Sequence, residues 1–205
     1  MTQQFRLALA VAAAFTCAAT GFDAAAQSST APATNSKAAP AAPAKAPAKG
    51  NLGSGERKFM EKAALDGMAE VQMGQLAQQK AQNPQVKEFA GRMVQDHTKA
   101  NDELKQLASA KGVTLPADAD RDHKKHADEL AKKSADKFDH EYMEHMVKEH
   151  KKDVKEFEKQ AKDAKDPDVK AFAQKTLPVL QAHLQAAQAT YDSTRKGGKP
   201  ATAKK

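Results

Sequence analysis

The sequence has little cysteine, few aromatic residues and no enzyme motif. Its single cysteine, Cys17, lies near the start of the 205-residue chain, and tryptophan is absent. If the first residues are removed as a leader, the mature protein has no cysteine, which excludes disulfides and thiol catalysis. The sequence also contains no phosphate-binding glycine loop and no serine-nucleophile motif. We therefore favour a protein that is not an enzyme.

The chain also lacks a hydrophobic run long enough to cross a membrane. A spanning helix needs about 20 apolar residues, whereas the apolar run near the start extends from Leu7 to Phe15. Arg6 precedes this run and small residues follow it, which is the pattern of a secretory signal peptide over residues 1–26. We predict cleavage after Ala26, no transmembrane span in the mature chain, and a periplasmic or outer-membrane-associated location. Lipid attachment at Cys17 is the alternative, although the residues before it match a lipoprotein site poorly.

Acidic residues do not balance the basic ones, and the whole chain carries a formal net charge of +7. The excess lies near the two ends, with three lysines between residues 37 and 49 and five basic residues between 195 and 205. The segment from Glu56 to Asp192 holds 24 basic and 25 acidic residues and is nearly neutral. Because the basic ends lack aromatic residues that stack on bases, we expect no nucleic-acid binding. An anionic envelope surface is the partner that these ends would suit.

Regular structure is predicted only between residues 56 and 194. Residues 27–55 are rich in Ala, Pro and Lys and cannot bury enough apolar surface to offset their ordering entropy, so we predict a disordered linker. The basic tail at 195–205 is predicted to be disordered as well. In between, apolar residues recur with the helical period. This pattern predicts long helices at 56–82, 84–111, 136–165 and 167–194, and a short helix around Asp122–Lys133.

Proline and glycine mark the ends of the predicted helices. Pro84 and Pro167 occupy first-turn positions, where a missing N–H costs nothing, and Asn83 and Asp166 precede them as N-caps. Gly112 follows the second helix, as a C-terminal glycine should. The segments NPQVKEFA and DPDVKAFA repeat at an offset of 83 residues. This repeat predicts two similar helical hairpins joined by a long linker, and hence an all-α, antiparallel four-helix bundle.

One polar residue interrupts the apolar stripe of each long helix. On a helical wheel these residues are Glu70, His97, His150 and His183. Glu70 and His97 lie 14 and 13 residues from the proline between them, and His150 and His183 lie 17 and 16 residues from theirs. Each pair is therefore level in an antiparallel hairpin, near the middle of the helices. We expect the four side chains to meet inside the bundle.

These residue types suit a transition metal. Imidazole and carboxylate groups bind Zn, Fe, Mn or Cu, so we predict Glu70, His97, His150 and His183 as ligands of one such ion. Nearby carboxylates predicted as extra ligands or as hydrogen-bond partners of the ligands are Asp66, Asp96 and Asp153. The alternative is a metal-free hydrogen-bonded network that fixes the register of the helices. The function is then either metal binding, in metal handling or stress protection, or a non-catalytic structural or interaction role in the cell envelope.

The remaining candidate features are predicted to be structural. His123 and His126 have a spacing that can hold a metal at a helix face, but in so charged a segment we expect them to face solvent. His140 and His145 are expected at the surface, and the methionines in the core. Pro178 is predicted to kink the fourth helix one turn before its histidine.

Four segments resemble a known family. The resemblance is carried by FMEKAALDGMAEVQMGQLAQQKA, VKEFAGRMVQDHTKANDELKQLA, FDHEYMEHMVKEH and LPVLQAHLQAA, which cover about Phe59–Tyr191. They are similar to the ferritin-like domain-of-unknown-function family 4142 of exported bacterial proteins. The resemblance implies a ferritin-like four-helix fold, a periplasmic setting and no established activity. It also implies that the family's characteristic polar residues correspond to Glu70, His97, His150 and His183.

The sequence departs from the di-iron ferritins. Those proteins carry Glu-x-x-His motifs on two helices. Here Val94 stands three residues before His97, and Leu180 stands three residues before His183. Because both bridging carboxylates are missing, we expect a mononuclear or non-redox site instead of a di-iron centre.

Overall fold

The structure is a computed structural model, and it describes residues 52–195. These residues form helices and no strand, which confirms the all-α class for this part of the chain. The helices are α1 (Ser54–Lys80), α2 (Pro84–Lys111), α3 (Arg121–Ala131), α4 (Ala135–Asp163) and α5 (Pro167–Arg195). The predicted signal peptide, most of the predicted linker and nearly all of the predicted tail lie outside the described residues. Between residues 52 and 195, no helix is both long and apolar enough to span a bilayer.

Local interactions fix three of the helix ends where the sequence predicted them, namely the starts of α2 and α5 and the end of α2. The side chain of Asn83 accepts a hydrogen bond from the amide of Gln85 at 2.8 Å. The carboxylate of Asp166 accepts from two amides in the first turn of α5, at 2.9 and 3.1 Å. Gly112 follows α2 with a φ of 65°, a left-handed conformation that favours glycine. The caps at these two starts and this end are therefore confirmed.

The helices pack in pairs. α1 lies along α2 and α4 along α5, while further contacts join α2 to α5 and α1 to α4. The short helix α3 packs on α1 and α4, where its Leu130 is buried and the Lys80 ammonium of α1 donates to the Ala131 carbonyl. α5 is helical on both sides of Pro178, and the kink at that residue stays a prediction. The predicted linker helix is thus part of the packed structure.

The apolar core is divided into two clusters, and the polar residues lie between them. On α2, for example, Met93 belongs to the first cluster, Leu104 to the second, and His97 separates the two. The same division occurs on α5, where Ala187 belongs to the first cluster, Leu180 to the second, and His183 lies between them. Five methionines are buried, as predicted, whereas Met68 is only half-buried. The five are Met60, Met73, Met93, Met143 and Met146.

Two buried carboxylates tie each helix pair to the turn of the other. Asp139 of α4 accepts hydrogen bonds from two backbone amides of the α1–α2 turn, at 3.1 and 2.7 Å. Glu56 of α1 accepts from two backbone amides of the α4–α5 turn, at 2.6 and 2.8 Å. A charged acceptor strengthens such bonds. The register of the two pairs is therefore held at both ends of the long helices.

Several histidines that were predicted to be exposed are partly buried. The His145 side chain is only 11% exposed, and its ring stacks on that of His126 with centroids 3.8 Å apart. His140 is half-buried and stacks on Tyr191. His123 is also half-buried, 3.6 Å from a carboxylate of α1. For His123 and His145 the reason is that α3 packs on α1 and α4, a position that the helical wheels do not give. His140 is covered instead by Tyr191 of α5.

Candidate metal centre

The four predicted site residues converge between the helices. Glu70 comes from α1, His97 from α2, His150 from α4 and His183 from α5, and all four are buried. The three imidazole centroids lie 5.2, 5.4 and 5.6 Å apart, which is a nearly equilateral triangle. Glu70 lies 2.9 Å from His97, and His150 lies 3.4 Å from His183, so both pairs predicted to be level are in contact. Their role as metal ligands stays a prediction.

One nitrogen of each imidazole faces an oxygen acceptor. These contacts are His97 Nδ1 to Glu70 Oε2 at 2.9 Å, His150 Nδ1 to the Met146 carbonyl at 3.1 Å, and His183 Nε2 to Asp96 Oδ2 at 2.8 Å. An oxygen acceptor is satisfied only if the facing nitrogen carries a hydrogen. Each neutral ring therefore carries its proton on that outer nitrogen and leaves a lone pair on the other one.

The remaining nitrogens are close to one another. His150 Nε2 and His183 Nδ1 face each other at 3.4 Å, and His97 Nε2 is buried with no hydrogen-bond partner. One nitrogen from each of the three rings lies within 4.8 Å of the other two. Two facing lone pairs repel unless a proton or a cation lies between them. Nitrogens about 2.0–2.1 Å from a tetrahedral zinc ion are about 3.4 Å apart, so the His150–His183 spacing fits two ligands of one ion.

The charges in the cluster are set by burial and by the Glu70 carboxylate. Burial alone would raise the pKa of Glu70, but His97 and His150 lower it to about 2, so the carboxylate stays ionised. Burial would lower the pKa of His97, but the Glu70 charge outweighs it and raises that pKa. Burial lowers the pKa of His150, and it lowers that of His183 to about 4. His150 and His183 are therefore neutral at neutral pH, as metal ligands must be. His97, whose pKa is raised, would have to release its second proton when a metal binds.

Two of the predicted accessory carboxylates lie on different sides of the cluster. Asp96 contacts the outer nitrogen of His183 and fixes the orientation of that ring. Asp66 lies farther out, where it pairs with Lys62 and lies 3.6 Å from His123. Asp66 is therefore not in contact with the three imidazoles, whereas Asp96 acts directly on one of them.

The third accessory carboxylate, Asp153, is buried next to Glu70. One oxygen of Asp153, one of Glu70 and one nitrogen of His150 lie within 4.8 Å of one another. The Oδ2 atom of Asp153 is buried without a hydrogen-bond partner. Burial and the nearby charges of Glu70 and Asp66 raise the pKa of Asp153 to about 9. Asp153 is therefore a neutral carboxylic acid at pH 7.

A small cavity lies beside these carboxylates. Its volume is about 30 Å³, which is room for about one water molecule. Asn101 reaches the cavity wall because Gly67 has no side chain, since a Cβ atom on Gly67 would lie 2.2 Å from the Asn101 Oδ1 atom. The polar residues that line the cavity are Asp66, Glu70, His97, Asn101, Asp153 and Thr176.

Sequence reasoning missed three groups near the cluster. The Met146 carbonyl accepts from His150, but any helix offers a carbonyl four residues back, so the sequence holds no signal for it. Tyr142 is buried with an unpartnered hydroxyl, and burial raises its pKa. Asn101 had a usable signal, because it lies one turn after His97 on the same face.

The comparisons with known proteins agree with the helical fold. A solved structure described as a DUF305 fragment from Deinococcus radiodurans superposes with a TM-score of 0.61 at 11% sequence identity, covering 69% of this chain and 97% of that chain. At this identity the likeness shows the fold alone. The comparison with curated proteins gives no match. The family model described as "Domain of unknown function (DUF4142)" matches residues 39–190. This match covers most of the chain, which therefore belongs to the DUF4142 family.

Proposed function

We propose that this protein binds one transition metal ion through His97, His150 and His183. The observation that carries the proposal is the pair of nitrogens, His150 Nε2 and His183 Nδ1, that face each other at 3.4 Å while their outer nitrogens face acceptors. Metal-bound histidines almost always donate their other N–H to a carboxylate or a carbonyl. In this proposal Glu70 is the hydrogen-bond partner of His97 instead of a ligand, and Asp96 is the partner of His183.

The ion is Zn, Fe, Mn or Cu, the metals that bind imidazole and carboxylate groups in proteins. The cavity beside the cluster has room for about one water molecule. A water molecule can complete a tetrahedral three-histidine site, but the cavity is too small for an organic substrate. We therefore propose metal handling or stress protection as the role, without turnover of an organic molecule.

The proposed setting is the periplasm, and the proposed fold is a ferritin-like bundle of two antiparallel hairpins. The pairing of α1 with α2 and of α4 with α5 supports the hairpins, and the first 26 residues support export. The basic ends would then contact an anionic envelope surface. Intact mass of the exported protein tests the setting: the expected chain begins at Gln27, and lipid attached to Cys17 would contradict it.

A second candidate is a structural protein whose buried polar network holds no metal. The ion pair between Glu70 and His97 favours this candidate, because it already satisfies two of the buried groups. One additional proton between His150 and His183 would remove the repulsion between their lone pairs. Such a network fixes helix register, and the protein would then act in the envelope through its surface alone.

Thermal unfolding of chelator-treated protein separates the two candidates. Adding Zn²⁺, Fe²⁺, Mn²⁺ or Cu²⁺ is expected to raise the melting temperature, because a ligand present at 100 times its Kd stabilises the folded state by about 2.7 kcal/mol. His97→Ala and His183→Ala should lose this increase. His140→Ala is the matched control, because His140 stacks on Tyr191 outside the cluster. If none of the four metals changes the wild-type melt, while the cluster variants unfold more easily, the metal-free network is the better account.

A further inference from the structure

A second set of possible ligand atoms lies beside the three imidazoles, and two of its three residues are carboxylates. Glu70, His150 and Asp153 each offer one atom, and these atoms lie within 4.8 Å of one another. All three residues are buried. The set shares only His150 with the three-imidazole cluster. It therefore defines a neighbouring position with different ligand chemistry.

Two oxygens of this second set have no hydrogen-bond partner. They are Glu70 Oε1 and Asp153 Oδ2, and both atoms are buried. The two residues are more than nine-tenths buried, with relative exposures of 3% and 6%. His150 Nδ1 lies 3.3 Å from Glu70 Oε1, but its hydrogen bond goes to the Met146 carbonyl. Burying oxygens without a hydrogen bond costs free energy, because they have lost the water that would otherwise bind them. A cation between these oxygens would satisfy both, and it would take the place of the proton that Asp153 carries in the metal-free protein.

The cavity is lined both by this position and by a carboxylate that lies farther out. Its lining includes Glu70, Asp153 and Asp66, and the Asp66 side chain is 16% exposed. Asn101 and Thr176 add neutral polar groups to the wall. Carboxylates thus extend from a partly exposed residue to the buried cluster. Oxygen ligands suit an ion that still keeps some of its water, and the cavity is large enough for one water molecule.

We propose that Glu70 and Asp153 form an outer position for the divalent cation, through which the ion passes from Asp66 to the three imidazoles. The proposal rests on the metal site proposed above. Glu70 takes part in both positions. Its Oε2 accepts a hydrogen bond from His97, and its Oε1 is one of the two buried oxygens without a hydrogen bond. His150 also contacts both, because its Nδ1–H group lies 3.3 Å from Glu70 Oε1 while its Nε2 faces His183.

Stopped-flow loading of the full-length protein with Co²⁺ tests the outer position, because bound cobalt gives a visible spectrum. Asp153→Asn keeps the shape of the side chain and removes its ability to become a carboxylate. We expect loading to slow by about tenfold, the lower end of the effect that a charged entry path has on ion capture. Release of cobalt to a chelator should slow as well, because the ion leaves by the same position. Asp163→Asn, at an exposed site on the same helix, should load like the wild type.

The outcomes separate this inference from the proposed function. If Asp153→Asn loads and releases cobalt at the wild-type rates, the proposal of an outer position is wrong, and the proposed three-imidazole site is unaffected. A changed cobalt spectrum in Asp153→Asn would make Asp153 a ligand of the final site and would also overturn it. No cobalt binding by the wild type would overturn both proposals. If Asp153→Asn does not fold, Asp66→Asn takes its place, and slower loading is expected from that variant for the same reason.

Discussion

Replacing Asp153 with Asn is predicted to stabilise the metal-free protein at neutral pH. The pKa of Asp153 is raised from 3.8 to about 9 by burial and by the charge of Glu70. Between these two pH values the folded protein holds a proton that the unfolded chain releases. Unfolding is therefore favoured more strongly as the pH rises, by about 1.4 kcal/mol per pH unit. An Asn side chain ionises in neither the folded nor the unfolded state, so Asp153→Asn removes this pH-dependent loss of stability.

The size of the effect follows from the pH interval. Between the unfolded pKa of 3.8 and pH 7, Asp153 lowers the free energy of unfolding by about 4 kcal/mol in total. This value is an upper limit, because water entry and side-chain movement relieve part of the effect. Urea unfolding of chelator-treated wild type and Asp153→Asn measures the difference. We expect no gain near pH 4 and a gain of about 2–4 kcal/mol near pH 7. A gain of equal size at both pH values, or a loss near pH 7, would refute the reasoning. Asp163→Asn is the control and should change neither value.

Three further predictions concern packing and titration. Leu104→Ala should cost about 2–5 kcal/mol in urea unfolding, because Leu104 is 1% exposed; a loss below about 0.5 kcal/mol would show a surface position. Gly67→Ala should cost about 1–3 kcal/mol, because its Cβ would lie 2.2 Å from Asn101 Oδ1, and adding Asn101→Ala should restore part of that stability. Burial lowers the pKa of His145 from 6.5 to about 4. As the pH drops through this interval, the unfolded chain binds a proton before the folded protein does, so the free energy of unfolding falls. His145→Gln should flatten that fall, and an unchanged slope would contradict the burial of this ring.

The helices and the convergence of the polar residues were predictable from the sequence. Pro84 and Gly112 fix the first and last turns of α2 through φ angles that those two residues favour. Counting residues from the prolines was enough to place Glu70 level with His97 and His150 level with His183, because the rise per residue of a helix is constant. These predictions depend on backbone geometry, and backbone geometry is what a helical pattern determines.

The rest depends on side-chain directions and on where α3 packs, which the pattern does not determine. The partial burial of His145 and His126 follows from where α3 packs, and the α3 sequence is so polar that only its Leu130 is buried. The role that we propose for Glu70 follows from which of its oxygens faces which imidazole nitrogen, and that depends on rotamers. The isolation of Asp153 from hydrogen-bond donors likewise appears only when four helices are packed together.

X-ray absorption spectroscopy of protein reloaded with one equivalent of Zn²⁺ tests the central claim most directly, because it counts the ligands of the bound ion. The account predicts zinc–nitrogen distances of about 2.0–2.1 Å and scattering from three imidazole rings. His183→Ala should reduce the number of rings to two, and His140→Ala should leave it at three. Zinc that fails to bind, or zinc bound by oxygens alone in the wild type, would contradict a three-histidine metal site.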